Sequence, residues 1–269
     1  MRLIQHKKEA YWFYRFLSLV YDRVNPLFWT EAMRAAALAL ARFDDRVLDA
    51  LDVGAGTGFS TEGIVARVDA SRVVMLDQSP HQLARSRARP ALAPCRRLLG
   101  DAEALPFPDA SFDRYVSAGS IEYWPDPQRA IAEAHRVLRA GGVALVVGPV
   151  PPPNRIARTL ARVWMLFPTE GEYRAWFEQA GFGDVRVAPL APEWHHGAYA
   201  VAVAGTKKGD RAAAGVAAPV AERVDEPMTM RRRALFAARF ALGSLAGAAF
   251  IPIAVLARAR RRRRAPREA

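Results

Sequence analysis

The run Asp52-Val53-Gly54-Ala55-Gly56-Thr57-Gly58 constrains this chain more than any other stretch. It follows an apolar segment, Val47 to Val53, and precedes an amphipathic one, Ser60 to Val68, so it reads as a glycine turn between a strand and a helix. Glycines there permit positive φ and let a ligand approach the backbone closely. A dinucleotide site of the G-x-G-x-x-G type calls for a small residue after Gly58, whereas this chain continues Phe59-Ser60-Thr61.

Short apolar runs alternate with longer amphipathic ones from Val47 to about Val203, the rhythm of an α/β domain with a parallel sheet and crossover helices. The expected strands are Val47 to Val53, Val73 to Asp77, Arg97 to Gly100, Tyr115 to Ala118, Val143 to Gly148, Val185 to Leu190 and Tyr199 to Ala204. The expected helices are Ser60 to Val68, Pro80 to Ala88, Pro127 to Arg139 and Glu170 to Gln179.

Acids close the first three strands. Asp77 ends the second strand, nineteen residues after Gly58, where a carboxylate can accept both hydroxyls of a ribose. Asp101 and Ala102 follow the third, where an adenine amino group can be held. Alone, Asp77 reads equally as a helix N-cap and Asp101 as a turn former. With Asp52 they make an acid at each of three successive strand ends, which favours a ligand site.

Charge is unevenly placed. The chain carries +12 overall, yet eleven Arg and one acid, Glu268, fall from Arg231 onward, leaving 28 basic and 26 acidic residues before it. A nucleic-acid methylating enzyme wants its Arg and Lys on the catalytic face rather than in a remote tail. Residues Phe240 to Ala257 form a charge-free run of eighteen between Arg239 and Arg258. As a helix this covers roughly 27 Å, against ~30 Å for a hydrocarbon core. Pro252 interrupts it and both flanks are basic, so a tail anchor and an interfacial or re-entrant helix both remain open. The expected division is an N-terminal helical lid over 1–46, a catalytic domain over 47–205, a flexible linker over 206–230 and a basic-flanked membrane anchor over 231–269.

Charged residues Arg2, His6, Lys7, Lys8 and Glu9 break up the first ten positions, so no secretory leader is expected, and no transit peptide is evident. Phe13, Phe16, Leu17, Val20 and Tyr21 share a helical face in the lid. A single cysteine, Cys95, excludes an internal disulfide framework and suits a reducing compartment. No His or carboxylate spacing demands a metal.

Together with Leu105-Pro106-Phe107, Phe112-Asp113, Arg136-Val137-Leu138-Arg139-Ala140-Gly141-Gly142 and Gly181-Phe182, these motifs resemble the class I S-adenosylmethionine-dependent methyltransferases. That resemblance implies a Rossmann-like, seven-stranded sheet with one antiparallel strand and helices on both faces. It implies cofactor contacts from Gly54, Gly56 and Gly58 to the methionyl part, Asp77 to the ribose, and Asp101 with Ala102 to the adenine. Asp52, Gln78 and Ser117 complete the expected cofactor set.

Ile4 to Ala10, Trp12 to Asp22, Leu76 to Ala84, Ser117 to Arg129 and Val163 to Pro168 further resemble the 2-methyl-6-phytyl-1,4-hydroquinone methyltransferase family of tocopherol and plastoquinone synthesis. Ala55 departs from that family's third consecutive glycine, and the tail is richer in Arg. The resemblance implies ring-carbon methylation of a prenylated quinol and a C-terminal anchor. It also implies a catalytic domain on the cytoplasmic or stromal side, at the plastid inner envelope in a photosynthetic eukaryote. A related ubiquinone- or menaquinone-type quinol is the alternative substrate, and a non-catalytic cofactor-binding scaffold the alternative role.

A hydroquinone becomes a carbon nucleophile when a hydroxyl gives up or shares its proton, so the site needs a base and an apolar channel. Glu122 and Tyr123, with Trp124, follow the fourth strand and are the main acceptor-site candidates, Glu122 as base and Tyr123 or Trp124 as stacking ring; the same run also suits a loop wedge. His6 is a second candidate base or a lid contact. His81 reads as cofactor contact or cap, His135 as solvated, and the adjacent His195 and His196 as outside the site. Trp164 to Phe167 read as a tail channel or as ordinary core.

Overall fold

A computed structural model describes residues 28–155, 158–159, 165–193, 195, 197, 199–209 and scattered positions between 229 and 256. The expected lid face at Phe13 to Tyr21, and His6, lie outside the described residues, as does most of the C-terminal run. Among the described residues, no helix is long and apolar enough to cross a membrane.

Helix α1 (Glu31–Leu40) precedes the sheet and is capped by Thr30, whose hydroxyl accepts the Met33 N–H at 3.2 Å. Strand β1 (Ala50–Val53) then leads through the glycine turn into α2 (Phe59–Val65). Next come β2 (Val73–Asp77), α3 (Pro80–Ser86) and β3 (Arg96–Leu99). Strand β4 (Phe112–Ala118), α4 (Pro127–Val137) and β5 (Leu138–Pro149) follow. Helix α5 (Glu170–Gln179), β6 (Phe182–Leu190) and β7 (Ala200–Lys207) complete the fold. Pro at the first turn with Ser79 or Asp126 as cap starts α3 and α4, and a Thr169–Glu172 capping box starts α5.

The seven strands lie in the order β3-β2-β1-β4-β5-β7-β6. All pairings from β3 to β5 are parallel, and β7 runs antiparallel to both β5 and β6. Alternation along each strand feeds two cores. Leu51, Val53, Ala144, Val146, Val201 and Val203 pack with Ile131, Tyr173 and Phe177 of α4 and α5. The opposite face sets Ala200, Ala202 and Ala204 with Met33, Ala37 and Leu38 of α1, the small strand residues admitting the helix closely. Helix α1 is therefore a layer of the fold itself.

Several expectations change: β1 starts at Ala50 rather than Val47, β4 at Phe112 rather than Tyr115 and β6 at Phe182 rather than Val185. Strand β5 begins at Leu138 rather than Val143, because Leu138 pairs with Phe112 of β4 while the buried Lys207 ammonium donates to the Leu138 carbonyl at 2.8 Å. His135 is buried at 2% exposure rather than solvated. Its ring meets Phe182 edge-on at 5.0 Å, and Gly181 leaves it room, since a Cβ there would lie 3.3 Å from Nε2. Burial, with Lys207 nearby, lowers its pKa to about 4.

Candidate active site

One cleft opens at the carboxyl ends of β1, β2, β3 and β4, enclosing about 840 Å³ with its open mouth included. The glycine turn forms its floor. The Gly54 and Ala55 N–H groups donate to the Leu76 carbonyl at 2.8 and 3.1 Å, and the Gly56 N–H donates to Asp77 Oδ2 at 2.8 Å. Asp77 Oδ1 accepts the Ser79 N–H at 2.8 Å, so one carboxylate ties the turn to the start of α3.

Gly54 has φ +70°, and a Cβ there would fall 2.5 Å from the Ser120 Cβ. Only glycine fits that backbone and that contact.

Of the residues expected at the cofactor, Gly54, Gly56, Asp77, Gln78, Asp101 and Ala102 line the cleft. Asp101 also serves as a turn former, its Oδ1 accepting the Glu103 N–H at 3.0 Å. Asp52, Gly58 and Ser117 are not on the lining. Asp52 is 1% exposed behind the turn, where its Oδ2 accepts the Thr61 hydroxyl at 2.6 Å and its Oδ1 has no partner. Gly58 presses on the core instead, its missing side chain making room for Leu92. Ser117 is buried and shares a 2.6 Å hydrogen bond with Ser120, which does reach the cleft.

Burial raises the Asp52 carboxyl to about 7, with the Thr61 bond opposing and Asp77 adding to the rise. Burial likewise lifts Asp77 to about 6, against the backbone bonds from Ser79 and Gly56.

On the β4 side, Tyr123 and Trp124 line the cleft, and Trp124 also packs in the core at 8% exposure. Glu122 is not on the lining but lies just behind it: a Cβ on the lining residue Gly119 would stand 4.0 Å from Glu122 Oε1. Its Oε2 is buried without a partner, although the residue as a whole is half-buried. Desolvation pushes its carboxyl up to about 7. The Tyr173 and Tyr199 hydroxyls are raised first by their own burial and then by the Glu122 charge. The Leu166 N–H donates to the Glu122 carbonyl at 3.1 Å, joining the expected tail-channel segment to this loop; Met165 and Leu166 are buried there, and Trp164 lies outside the described residues.

Trp29, Phe59, Ser60 and Ser120 also line the cleft, unforeseen from sequence. For Phe59 the signal was its bulk where a dinucleotide turn needs a small residue. Trp29 precedes the first strand by some twenty positions, and no local pattern reports that return.

The residues fit S-adenosylmethionine: a glycine cradle that a Cβ would fill at Gly54, a carboxylate at the β2 end, and an acid lining the cleft after β3. With β7 reversed inside this strand order, the fold is that of the class I methyltransferases, and S-adenosylmethionine is the methyl donor. A family model described as a methyltransferase domain matches residues 51–146. A methyltransferase solved in complex with the Haloferax volcanii Trm112 activator superposes with TM-score 0.58 at 22% identity, over 75% of this chain and 98% of that one.

The chain belongs to the 2-methyl-6-phytyl-1,4-hydroquinone methyltransferase family. It is 50% identical over 261 residues to the chloroplastic 2-methyl-6-phytyl-1,4-hydroquinone methyltransferase 2 of Oryza sativa subsp. japonica, covering 94% of this chain and 74% of that protein. Identity to the chloroplastic enzyme of Arabidopsis thaliana is also 50%, over 94% of this chain and 77% of that one.

Asp52 and Asp77 predict a pH dependence. Both carboxyls titrate above the ordinary aspartate value of 3.8, so the fold favours their neutral forms, and forcing them to ionise removes stability. Without ligand, stability should fall as pH rises from about 4 towards 7. Asp52→Asn should flatten that fall and leave the variant more stable at pH 8 by on the order of 2 kcal/mol, measured by urea unfolding; an unchanged pH slope would refute the assignment.

Proposed function

We propose that this enzyme transfers a methyl group to a ring carbon of a prenylated hydroquinone, 2-methyl-6-phytyl- or 2-methyl-6-solanesyl-1,4-benzoquinol, with Glu122 as proton acceptor. The observation that carries this reading is the Glu122 carboxyl: unpartnered at Oε2, held near 7 by burial, and next to Gly119 of the cleft lining. A base is best matched to its task when its pKa lies near the working pH. The bound S-adenosylmethionine supplies an electrophilic methyl carbon on sulfur.

In this reading Asp77 takes the ribose hydroxyls, Asp101 and Ala102 flank the adenine, and Gly54 and Gly56 admit the methionyl part. Asp52, Gly58 and Ser117 act one layer behind, fixing the turn and the β4 end. Glu122 accepts the proton of one quinol hydroxyl, which makes the ring electron-rich at carbon. Tyr123 offers a face on which that ring can stack, at the mouth formed with Trp124. His6 is the second candidate acceptor or contact.

The tail holds the enzyme on a membrane, where so apolar a substrate resides. Exposed Met230, Leu235, Val255 and Leu256 beside the Arg-rich flanks give this segment both parts of an interfacial contact. The plastid envelope is the corresponding compartment, the Oryza and Arabidopsis relatives being chloroplastic.

Detergent-solubilised enzyme with labelled cofactor and a panel of prenylated quinols should label ring carbon of the phytyl or solanesyl quinol. Labelling confined to oxygen, or to ubiquinone- or menaquinone-type quinols, would overturn the substrate. Glu122→Gln should lower kcat at least 100-fold and abolish the rise of activity through pH 7, while S-adenosylhomocysteine affinity stays within twofold. A variant retaining the wild-type pH profile would exclude Glu122 as base. Deleting residues 230–269 should abolish co-sedimentation with anionic phospholipid vesicles; equal pelleting of both forms would remove the tail from the membrane contact.

A further inference from the structure

Phe59 stands where a nucleotide-binding turn commonly takes a small residue, and its surroundings show what the bulk does. The Trp29 ring meets Phe59 edge-on at 6.4 Å, and both line the cleft beside the glycine turn. Arg34 of α1 covers Phe59, its guanidinium carbon 4.4 Å from the ring centre and its Nη1 donating to the Phe59 carbonyl at 2.8 Å. A segment far from the turn in sequence is thus clamped onto it.

Within this clamp the indole N–H of Trp29 is buried and has no acceptor. An unsatisfied buried donor costs stability, about as much as a lost hydrogen bond or more, and native structures keep few without reason. Trp29 joins Phe59 beside the glycine turn, whose Gly54 and Gly56 line the cleft, while the lining acids Asp77 and Asp101 stand at the ends of β2 and β3. In S-adenosylmethionine the ribose hydroxyls and adenine amine need acceptors and the methionyl carboxylate needs donors, and the indole N–H is a donor on the turn side.

We infer that Trp29 is a specificity-determining residue of the cofactor site, its indole N–H donating to the methionyl carboxylate while its ring closes that end of the cleft. The clamp by Phe59 and Arg34 positions the indole for this role. The inference rests on the cofactor assignment and adds to it a contact from outside the glycine turn and strand ends.

Calorimetry on the full chain in detergent, with S-adenosylhomocysteine and with 5′-methylthioadenosine, tests it, because the second ligand keeps the nucleoside and lacks the carboxylate. Trp29→Phe retains an aromatic wall and removes the N–H. It should weaken S-adenosylhomocysteine about tenfold, the scale of one hydrogen bond to a charged group, and leave 5′-methylthioadenosine within twofold. That retained binding also reports that the variant is folded. Equal weakening of both ligands would reduce Trp29 to a wall and overturn the inference, as would no change in either. Failure of the wild-type chain to bind S-adenosylhomocysteine would instead remove the cofactor assignment, and this contact with it.

Discussion

The cleft depends on one carboxylate. Asp77 accepts the Gly56 N–H with one oxygen and the Ser79 N–H with the other, both at 2.8 Å, so the glycine turn, the end of β2 and the start of α3 share a single anchor. Without it the turn would keep its bonds to the Leu76 carbonyl and the Gly58 N–H bond to the Ala55 carbonyl, and the Gly56 N–H would lose its acceptor. The arrangement has a thermodynamic cost, visible in the raised Asp77 and Asp52 carboxyls, because two acids lie close together away from water. In the proposed reading a ribose diol would meet an acceptor that the fold has already desolvated and aimed, so that the ordering cost is met before the ligand arrives.

How far the sequence reaches follows from the range of its signals. The strand–glycine turn–helix unit, the acid nineteen residues on and the capped helices are local patterns, and the structure places the turn, Asp77 and Asp101 around one cleft. What a side chain does across the sheet is not local. Asp52 sits in the same motif as Gly54, yet strand alternation turns it towards Thr61 and away from the cleft. His135 has Glu133 and Arg136 close by in sequence, and it is the absence of a side chain at Gly181 and the edge of Phe182 that accommodate its burial. Strand β5 starts early for a similar reason, since Leu138 finds partners in Phe112 and Lys207, residues distant in the chain.

The reversed strand sets which residues surround Glu122. In a wholly parallel sheet every strand would bring its carboxyl end to the ligand edge, and the residue before β7 would lie at the far edge. Because β7 runs antiparallel to β5, with Ala200 opposite Pro149, its beginning is at the ligand edge. Tyr199 immediately precedes it, and its carbonyl accepts the Val150 N–H at 3.2 Å just past the end of β5. That brings a mostly buried phenol within electrostatic reach of Glu122, while α5 brings Tyr173, whose hydroxyl donates to the Pro149 carbonyl at 3.2 Å. Glu122 therefore lies within electrostatic reach of phenols contributed by α5 and by the approach to β7. Burial holds its pKa near 7, whereas a solvated glutamate would titrate near 4.5. The direction of β7 is set by its pairing with β5 and β6, segments distant in the chain, and not by its own short apolar run.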